Sequence, residues 1–262
     1  TGRLSLELYK EEIERSLRTP EYGGFQLLGL QDSFDQGAAY VGMVNSFFEP
    51  KPFVTSKAFS EFCGPQVPLA RMAKRVWTNN ESFTAEIEFA NYGPAPLPNA
   101  TLAWRVMDAE KPVAQGPLPA VTLPNTGLTQ VGKVSLPLSN IKTARKLQLE
   151  VGARGGESRN RWNFWVYPEA APKEAPAGVL VVNKLDGAAQ EALQKGGKVV
   201  LLPSGFNSPY GTAMTPPFWS PIMFSNQKQT LGLLCDPKHP ALKNFPTDFH
   251  SDWQWFDLLF QA

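Results

Sequence analysis

The chain has 262 residues, of which 42% are hydrophobic and 19% charged, enough apolar material for packed cores and too much for a disordered chain. With 25 Lys and Arg against 24 Asp and Glu, the net charge is +1, so no global field draws the chain to nucleic acid or to an anionic membrane. No apolar run reaches the roughly 18 residues that a membrane helix requires.

The first block spans residues 1–68. Leu6, Tyr9, Ile13 and Leu17 share one helical face, which predicts a helix over Leu4 to Leu17. Glu11 with Arg15 and Glu14 with Arg18 are i,i+4 pairs that support it, and Thr19-Pro20 ends it. After Gly23-Gly24, the run Phe25 to Leu30 is mostly apolar and of strand length. Little alternation predicts a strand covered on both faces, as in a parallel sheet. A polar stretch holding Gln31, Asp32, Asp35 and Gln36 follows, and then a short helix from Ser56 to Cys63. Helix, strand, loop and helix make the rhythm of an α/β barrel or a doubly wound sheet.

The second block spans residues 69–168, and its period changes to two. Phe83, Ala85, Ile87 and Phe89 alternate with polar residues, as do Leu102, Trp104 and Val106, then Leu147, Leu149 and Val151; Trp162, Phe164 and Val166 close the series. Turn clusters such as Asn91-Tyr92-Gly93-Pro94 and Pro124-Asn125-Thr126-Gly127 separate the runs. The pattern predicts an immunoglobulin-like β-sandwich with Phe83, Ile87, Trp104, Leu149 and Phe164 in its core.

A Pro/Ala/Glu linker from Glu169 to Pro176 leads to the third block, residues 177–262. Gly178 to Val182 predicts a buried strand, Asp186 to Lys195 a helix capped by Asp186, and Lys198 to Leu202 a second, parallel strand. Thr230 to Leu234 is a candidate third strand. The block is short for a doubly wound domain, so a partial flavodoxin-like α/β domain is expected.

Motifs for catalysis are sparse. There is no Gly-rich phosphate loop and no His-Glu-x-x-His, and two histidines leave little for a zinc site, so neither a cofactor nor a metal is expected. Cys63 and Cys235 fit neither a disulfide framework nor a zinc spacing, and two free thiols are the simpler expectation. The Thr-Gly-Arg start has no charged leader followed by an apolar stretch, so no signal peptide is expected. Cys235 with His239 or His250 could form a nucleophile and base, but Cys235 closes an apolar run and is expected to be inert. Ser204, in Pro203-Ser204-Gly205, has half of a nucleophile elbow and lacks the first glycine. The segment Phe249 to Phe256 could stack on a sugar, or anchor the chain end through Trp253 and Phe256. Gln31, Asp32, Asp35 and Gln36 follow a candidate barrel strand, where ligands bind in parallel α/β folds; they can hold sugar hydroxyls, or Asp32 and Asp35 can cap a turn.

Gly23 to Asp32 resembles the eighth and last barrel strand of glycoside hydrolase family 2, the β-galactosidase and β-glucuronidase group. Arg71 to Trp77 and Trp162 to Pro168 are similar to the entry and last strand of that family's immunoglobulin-like domain. Leu234 to Leu242 and Phe249 to Trp255 resemble an α/β domain of its multidomain members. The resemblance implies a C-terminal portion: a terminal piece of a (β/α)8 TIM barrel, a sandwich and an accessory domain. It implies a parent that hydrolyses β-linked sugars with retention, using two glutamates about 5–5.5 Å apart that lie outside this chain. This chain by itself is then inactive. Its implied partners are a carbohydrate reached through the parent and the remainder of the barrel or another chain, with no nucleic acid and no membrane. A periplasmic or secreted bacterial setting is implied as well. The rival readings are a non-catalytic carbohydrate-binding or scaffold protein, and an amidotransferase-like or esterase-like enzyme in the third block.

Overall fold

A computed structural model of the chain describes residues 2–34, 40–153, 158–169, 175–202, 212–214 and 230–260. The period-two segments fold into ten strands: β1 (Gln66–Arg71), β2 (Val76–Thr78), β3 (Ser82–Asn91), β4 (Leu97–Ala100), β5 (Leu102–Asp108), β6 (Lys111–Pro117), β7 (Val121–Leu123), β8 (Leu128–Pro137), β9 (Arg145–Ala153) and β10 (Arg159–Tyr167). One sheet has the order β1-β3-β8, the other β2-β10-β9-β5-β6, and β4 pairs with β7. All of these pairings are antiparallel except β2 with β10. The inward positions of the two sheets bury Phe83, Ile87, Leu149 and Phe164 completely. Phe83 stacks on Phe164 across the sandwich with ring centroids 4.0 Å apart. Trp104 departs from the expectation: it is half-buried and borders the core. A methyl group added at Gly116 would lie 3.1 Å from its indole nitrogen, so the ring lies against the backbone of strand β6 at the sheet edge, where little covers it.

The N-terminal helix forms as α1 (Gly2–Leu17). Its buried residues are Leu4, Leu8, Ile13 and Glu14 rather than the stripe Leu6, Tyr9, Ile13 and Leu17. Two neighbours explain the difference. Leu4 and Leu8 pack on Met214, Leu231, Trp253 and Leu259 of the third block, while Leu17 reaches Val67, Leu69 and Ala90 of the sandwich. A helix pressed from two sides has no single apolar stripe.

Phe25 to Leu30 forms no strand, and Phe25, Leu28 and Leu30 are 38%, 63% and 45% exposed. The Leu30 carbonyl accepts from the backbone N–H of Met43 at 2.9 Å and of Val44 at 3.1 Å, so the chain turns back on the segment 40–50 instead of entering a sheet. Among the described residues there is no closed barrel. The expected buried strand fails because a strand needs paired neighbours, and among the described residues none forms a ladder with Phe25 to Leu30. The helix α2 (Ser56–Ser60) follows, capped by the Thr55 hydroxyl, which accepts from the Ala58 N–H at 3.1 Å.

In the third block, β11 (Val179–Val182) and β12 (Lys198–Leu201) pair in parallel around α3 (Gly187–Gln194), whose N-cap is Asp186. β11 is not a buried strand: Leu180 and Val181 are exposed. The third strand shrinks to β14 (Thr230–Leu231), which pairs in parallel with β13 (Thr212–Ala213) in a separate ladder. The short helix α4 (Phe256–Phe260) ends the described chain. The molecule is thus mostly β-sheet with a few helices. Among the described residues, hydrogen bonds dock the third block on the sandwich: the Trp165 indole donates to the Pro246 carbonyl at 3.1 Å, the Tyr167 hydroxyl to Gln254 Oε1 at 2.6 Å, and Lys146 Nζ to Asp248 Oδ2 at 2.5 Å.

Candidate functional site

The polar loop after Leu30 is only partly described. Asp35 and Gln36 lie outside the described residues. Gln31 is exposed, and Asp32 is buried. Asp32 Oδ1 accepts from Lys51 Nζ at 2.7 Å and from the Gly42 N–H at 3.0 Å. A methyl group at Gly42 would meet the Gln31 carbonyl carbon at 2.5 Å, so the two strands of this loop touch backbone to backbone. Asp32 therefore clamps the loop, while Gln31 is left at its surface.

A larger assembly of charge joins α1, the sandwich and the third block. Glu14 is fully buried. Its Oε1 accepts from Asn160 Nδ2 at 2.7 Å, and its Oε2 from Trp162 Nε1 at 2.8 Å and Arg18 Nη1 at 3.2 Å; Lys10 donates as well. One turn earlier, Glu11 accepts from Arg18 Nη2 at 2.7 Å and Arg75 Nη2 at 3.0 Å. Burial alone would raise the Glu11 carboxyl, but Arg75 and Arg18 together hold it below the usual carboxylate range. Lys10 is pulled below the usual lysine range by burial, against the pull of Glu14.

One further turn back the balance reverses. Burial raises Glu7, and the Asp248 charge adds to that, while Lys146, Arg75 and Lys10 oppose it. Glu7 Oε2 is sealed from solvent without a hydrogen-bond partner. Asp252 is fully buried, and burial pushes it up to about 7, with the Glu7 and Asp248 charges adding and Lys146 opposing. Its Oδ1 accepts from the Gln254 N–H at 3.2 Å, and its Oδ2 has no partner. Lys146 Nζ pairs with Asp248 Oδ2 at 2.5 Å.

A cavity of about 180 Å³ opens in this seam, lined among others by Glu7, Lys10, Glu11, Arg75, Asn163 and Trp253. Two carboxyl groups pushed in opposite directions, one helical turn apart, carry the electrostatic mark of an acid and a base. The geometry argues otherwise for Glu11. Each of its oxygens is paired with a guanidinium group, which holds the carboxylate ionised and in place, and the seam reads as a polar joint. A sequence signal for it exists: Glu7, Glu11, Glu14 and Arg18 recur with the same spacing as an apolar helix face. A charged stripe normally faces water, so nothing in its period tells that this one is buried.

The cysteine and histidine candidates come close together without making a nucleophilic pair. Cys235 and His250 lie on adjacent extended segments, with the Cys235 N–H donating to the Phe249 carbonyl at 2.8 Å and a bridge between Leu234 and His250. Cys235 is buried, its thiol pushed up by burial and by the Asp252 charge, and its Sγ lies 3.9 Å from the Leu233 carbonyl. His250 is buried with Nδ1 2.8 Å from the Ser251 carbonyl, and His239 Nδ1 accepts from the Ala241 N–H at 3.2 Å. Both imidazoles are thus engaged with backbone. Cys63 and Cys235 are both free thiols. Ser204 lies outside the described residues. Trp253 packs among Leu4, Leu8 and Met214, in the anchoring role. Among the described residues, no group of three or more His, Cys, Asp or Glu could hold a metal ion, and no helix is long and apolar enough to cross a membrane.

A second concavity, of about 560 Å³, lies on the five-stranded sheet, with Arg105, Gln115, Glu150 and Arg159 among its lining.

A family model described as a domain of unknown function, DUF8488, matches residues 81–168, and a second, DUF8487, matches residues 180–262. No curated protein matches the sequence. Solved structures show partial likeness. A cycloisomaltooligosaccharide glucanotransferase of Paenibacillus sp., complexed with cycloisomaltoheptaose, is 13% identical over 47% of this chain and 16% of its own, with a TM-score of 0.31. The β-glucuronidase of Parabacteroides merdae is 15% identical over 37% of this chain and 13% of its own, with a TM-score of 0.27. The alkylpurine DNA glycosylase AlkC of Pseudomonas fluorescens, bound to DNA containing an abasic site analog, is 12% identical over 43% of this chain and 33% of its own, with a TM-score of 0.31. The chain thus matches only a small part of each, and its similarity to carbohydrate-active enzymes is weak.

Proposed function

We propose that this chain is the C-terminal portion of a retaining glycoside hydrolase acting on β-linked sugars, of the family 2 type, with both catalytic carboxylates outside it. The observation behind the reading is the set of bare apolar side chains on residues 22–34 and 40–48. Phe25, Leu28, Leu30, Phe34, Tyr40 and Phe47 all stand exposed. A strand-length apolar run that stays in water is a run whose neighbours lie elsewhere. In this reading residues 1–68 complete a barrel, residues 69–168 are the sandwich and residues 177–262 are an accessory α/β domain. Sugar-binding roles are proposed for Gln31, Asp32, Asp35 and Gln36, of which Asp32 also holds its loop through Lys51. The partners are the remaining barrel strands and, through them, the carbohydrate, in a periplasmic or secreted setting.

The test is complementation. The purified chain is mixed with a separately produced polypeptide carrying the first seven barrel strands of a family 2 enzyme, and hydrolysis of p-nitrophenyl β-glycosides is followed. The chain alone is expected to be inert, and the mixture is expected to gain activity that Leu28→Ser weakens. Hydrolysis by the chain alone, lost on changing one Asp or Glu within it, overturns the reading. So does a mixture in which Phe25 to Leu30 gains no protection from hydrogen exchange.

A further inference from the structure

The groove on the five-stranded sheet has a construction that its strand register explains. Cross-strand neighbours share a face, and residues two apart on a strand share it too. Ala103 lies opposite both Pro117 and Gly152, and Gly152 opposite Arg159. Two positions further along β5, Arg105 lies opposite both Gln115 and Glu150, and Glu150 opposite Arg161. The first row is low until it reaches Arg159, and the second is tall and polar. A low row beside a tall one makes a trough that crosses the strands. Four strands at about 4.8 Å spacing give it a length of roughly 14 Å, the span of a short oligosaccharide.

The charges in and beside the trough are layered. Glu150 and Glu61 have side chains only 13% and 10% exposed, while those of Arg105, Arg159 and Arg161 are 49%, 40% and 37% exposed. Arg105 Nε donates to Glu150 at 2.5 Å, and Arg159 Nε to Glu61 at 2.8 Å. Each largely shielded carboxylate thus holds the Nε edge of a guanidinium and fixes its plane. The terminal Nη groups of Arg105 and Arg159, and the Gln115 amide on edge strand β6, have no protein partner among the described residues. Guanidinium forks of this kind match a carboxylate geometrically, and their ordering cost is met before a ligand arrives.

We infer that this trough binds a linear saccharide chain bearing carboxylates, a uronate oligosaccharide, with a carboxylate on the outer edges of Arg105 and Arg159, a ring hydroxyl on Gln115, and the chain lying over Pro117, Ala103 and Gly152. Nucleic acid fits poorly: the whole chain carries a net charge of only +1, and the free forks stand beside a low floor rather than along a basic stripe. The inference does not rest on the glycosidase reading, since every residue proposed to touch the saccharide belongs to the sandwich.

The test is titration calorimetry of the full chain with tetragalacturonate, with a neutral galactan tetrasaccharide, and with a single-stranded oligonucleotide of equal charge. Tetragalacturonate is expected to bind at least about tenfold more tightly than the neutral chain, because charge-assisted hydrogen bonds are roughly twice as strong as neutral ones. Gln115→Ala and Ala103→Phe, neither of which touches an ion pair, are expected to weaken that binding while leaving the thermal midpoint in place. Equal binding of the acidic and neutral chains, equal binding of the oligonucleotide, no binding of tetragalacturonate, or unchanged binding by both variants would each overturn the inference.

Discussion

Trp162 Nε1 donates a 2.8 Å hydrogen bond to Glu14 Oε2, tying α1 to the last strand of the sandwich across 148 positions of chain. Asn160 from the same strand donates to the other oxygen at 2.7 Å and also to the Pro68 carbonyl at 3.0 Å. The helix is therefore stitched to both sheets through one buried carboxylate. Removing that carboxylate leaves the Lys10 and Arg18 charges buried without it, which in comparable sites costs about 3–5 kcal/mol. Urea unfolding of Glu14→Ala should show a loss of that order. Glu12→Ala, which removes an exposed carboxylate 3.6 Å from Arg15, should stay within about 0.5 kcal/mol of the parent.

Asp252 sets a pH dependence whose sign is opposite to that of an ordinary ion-paired carboxylate. Its folded-state pKa of about 7 lies above the unfolded value of roughly 3.9. Between those two values the folded chain holds a proton that the unfolded chain has released, so stability falls as pH rises through that window. Glu7 is raised as well and acts in the same direction. Each pH unit of separation is worth about 1.4 kcal/mol at most. Denaturant midpoints from pH 4 to 8 should fall, and Asp252→Asn should flatten the fall and leave the protein more stable at pH 8. An unaltered profile in Asp252→Asn would remove Asp252 as its source.

Gly232 holds the third block against α1. Its φ is +60°, and a methyl group there would meet Leu4 Cδ2 and Ser251 Oγ, each at 2.4 Å. Gly232→Ala thus adds both a close clash and a strained backbone. Limited proteolysis should cut residues 230–260 of this variant faster than those of the parent, with the sandwich fragment intact. Equal cutting rates would show that this contact does not hold the block.

Phe83 and Trp104 separate the two kinds of aromatic on the sandwich. Phe83 is fully buried and stacked on Phe164, so Phe83→Ala should cost about 3–5 kcal/mol. Trp104 is half-buried beside Gly116, so Trp104→Ala should cost clearly less in the same denaturation experiment. Equal losses would place Trp104 in the core after all.

The sandwich was legible in the sequence because its signal is local. Side chains alternate with period two, and each strand carries the whole pattern: Leu147, Leu149 and Val151 are buried as their alternation predicts. The cap at Asp186 and the parallel pair around α3 were legible for the same reason, since a cap and a β-α-β unit are built from neighbours in sequence. The segment Phe25 to Leu30 reads as a buried strand by the same local rule and stands in solvent instead. Its hydrophobicity records an affinity for neighbours, and whether neighbours are present is not a property of six residues.

The polar joint and the groove belong to tertiary structure alone. Glu14 and Glu12 are both glutamates on one charged helix, yet Glu14 meets Asn160 and Trp162 while Glu12 faces water. Arg105, Gln115, Glu150 and Arg159 come from four strands, and only the register between those strands sets them side by side. Composition, period and capping determine which segments can be helix or strand, because those preferences act over a few bonds. Which charge is buried, which carboxylate keeps its proton, and which side chains share a trough depend on desolvation and contact between segments far apart in the chain, and those arise only when the sheets and α1 close on one another.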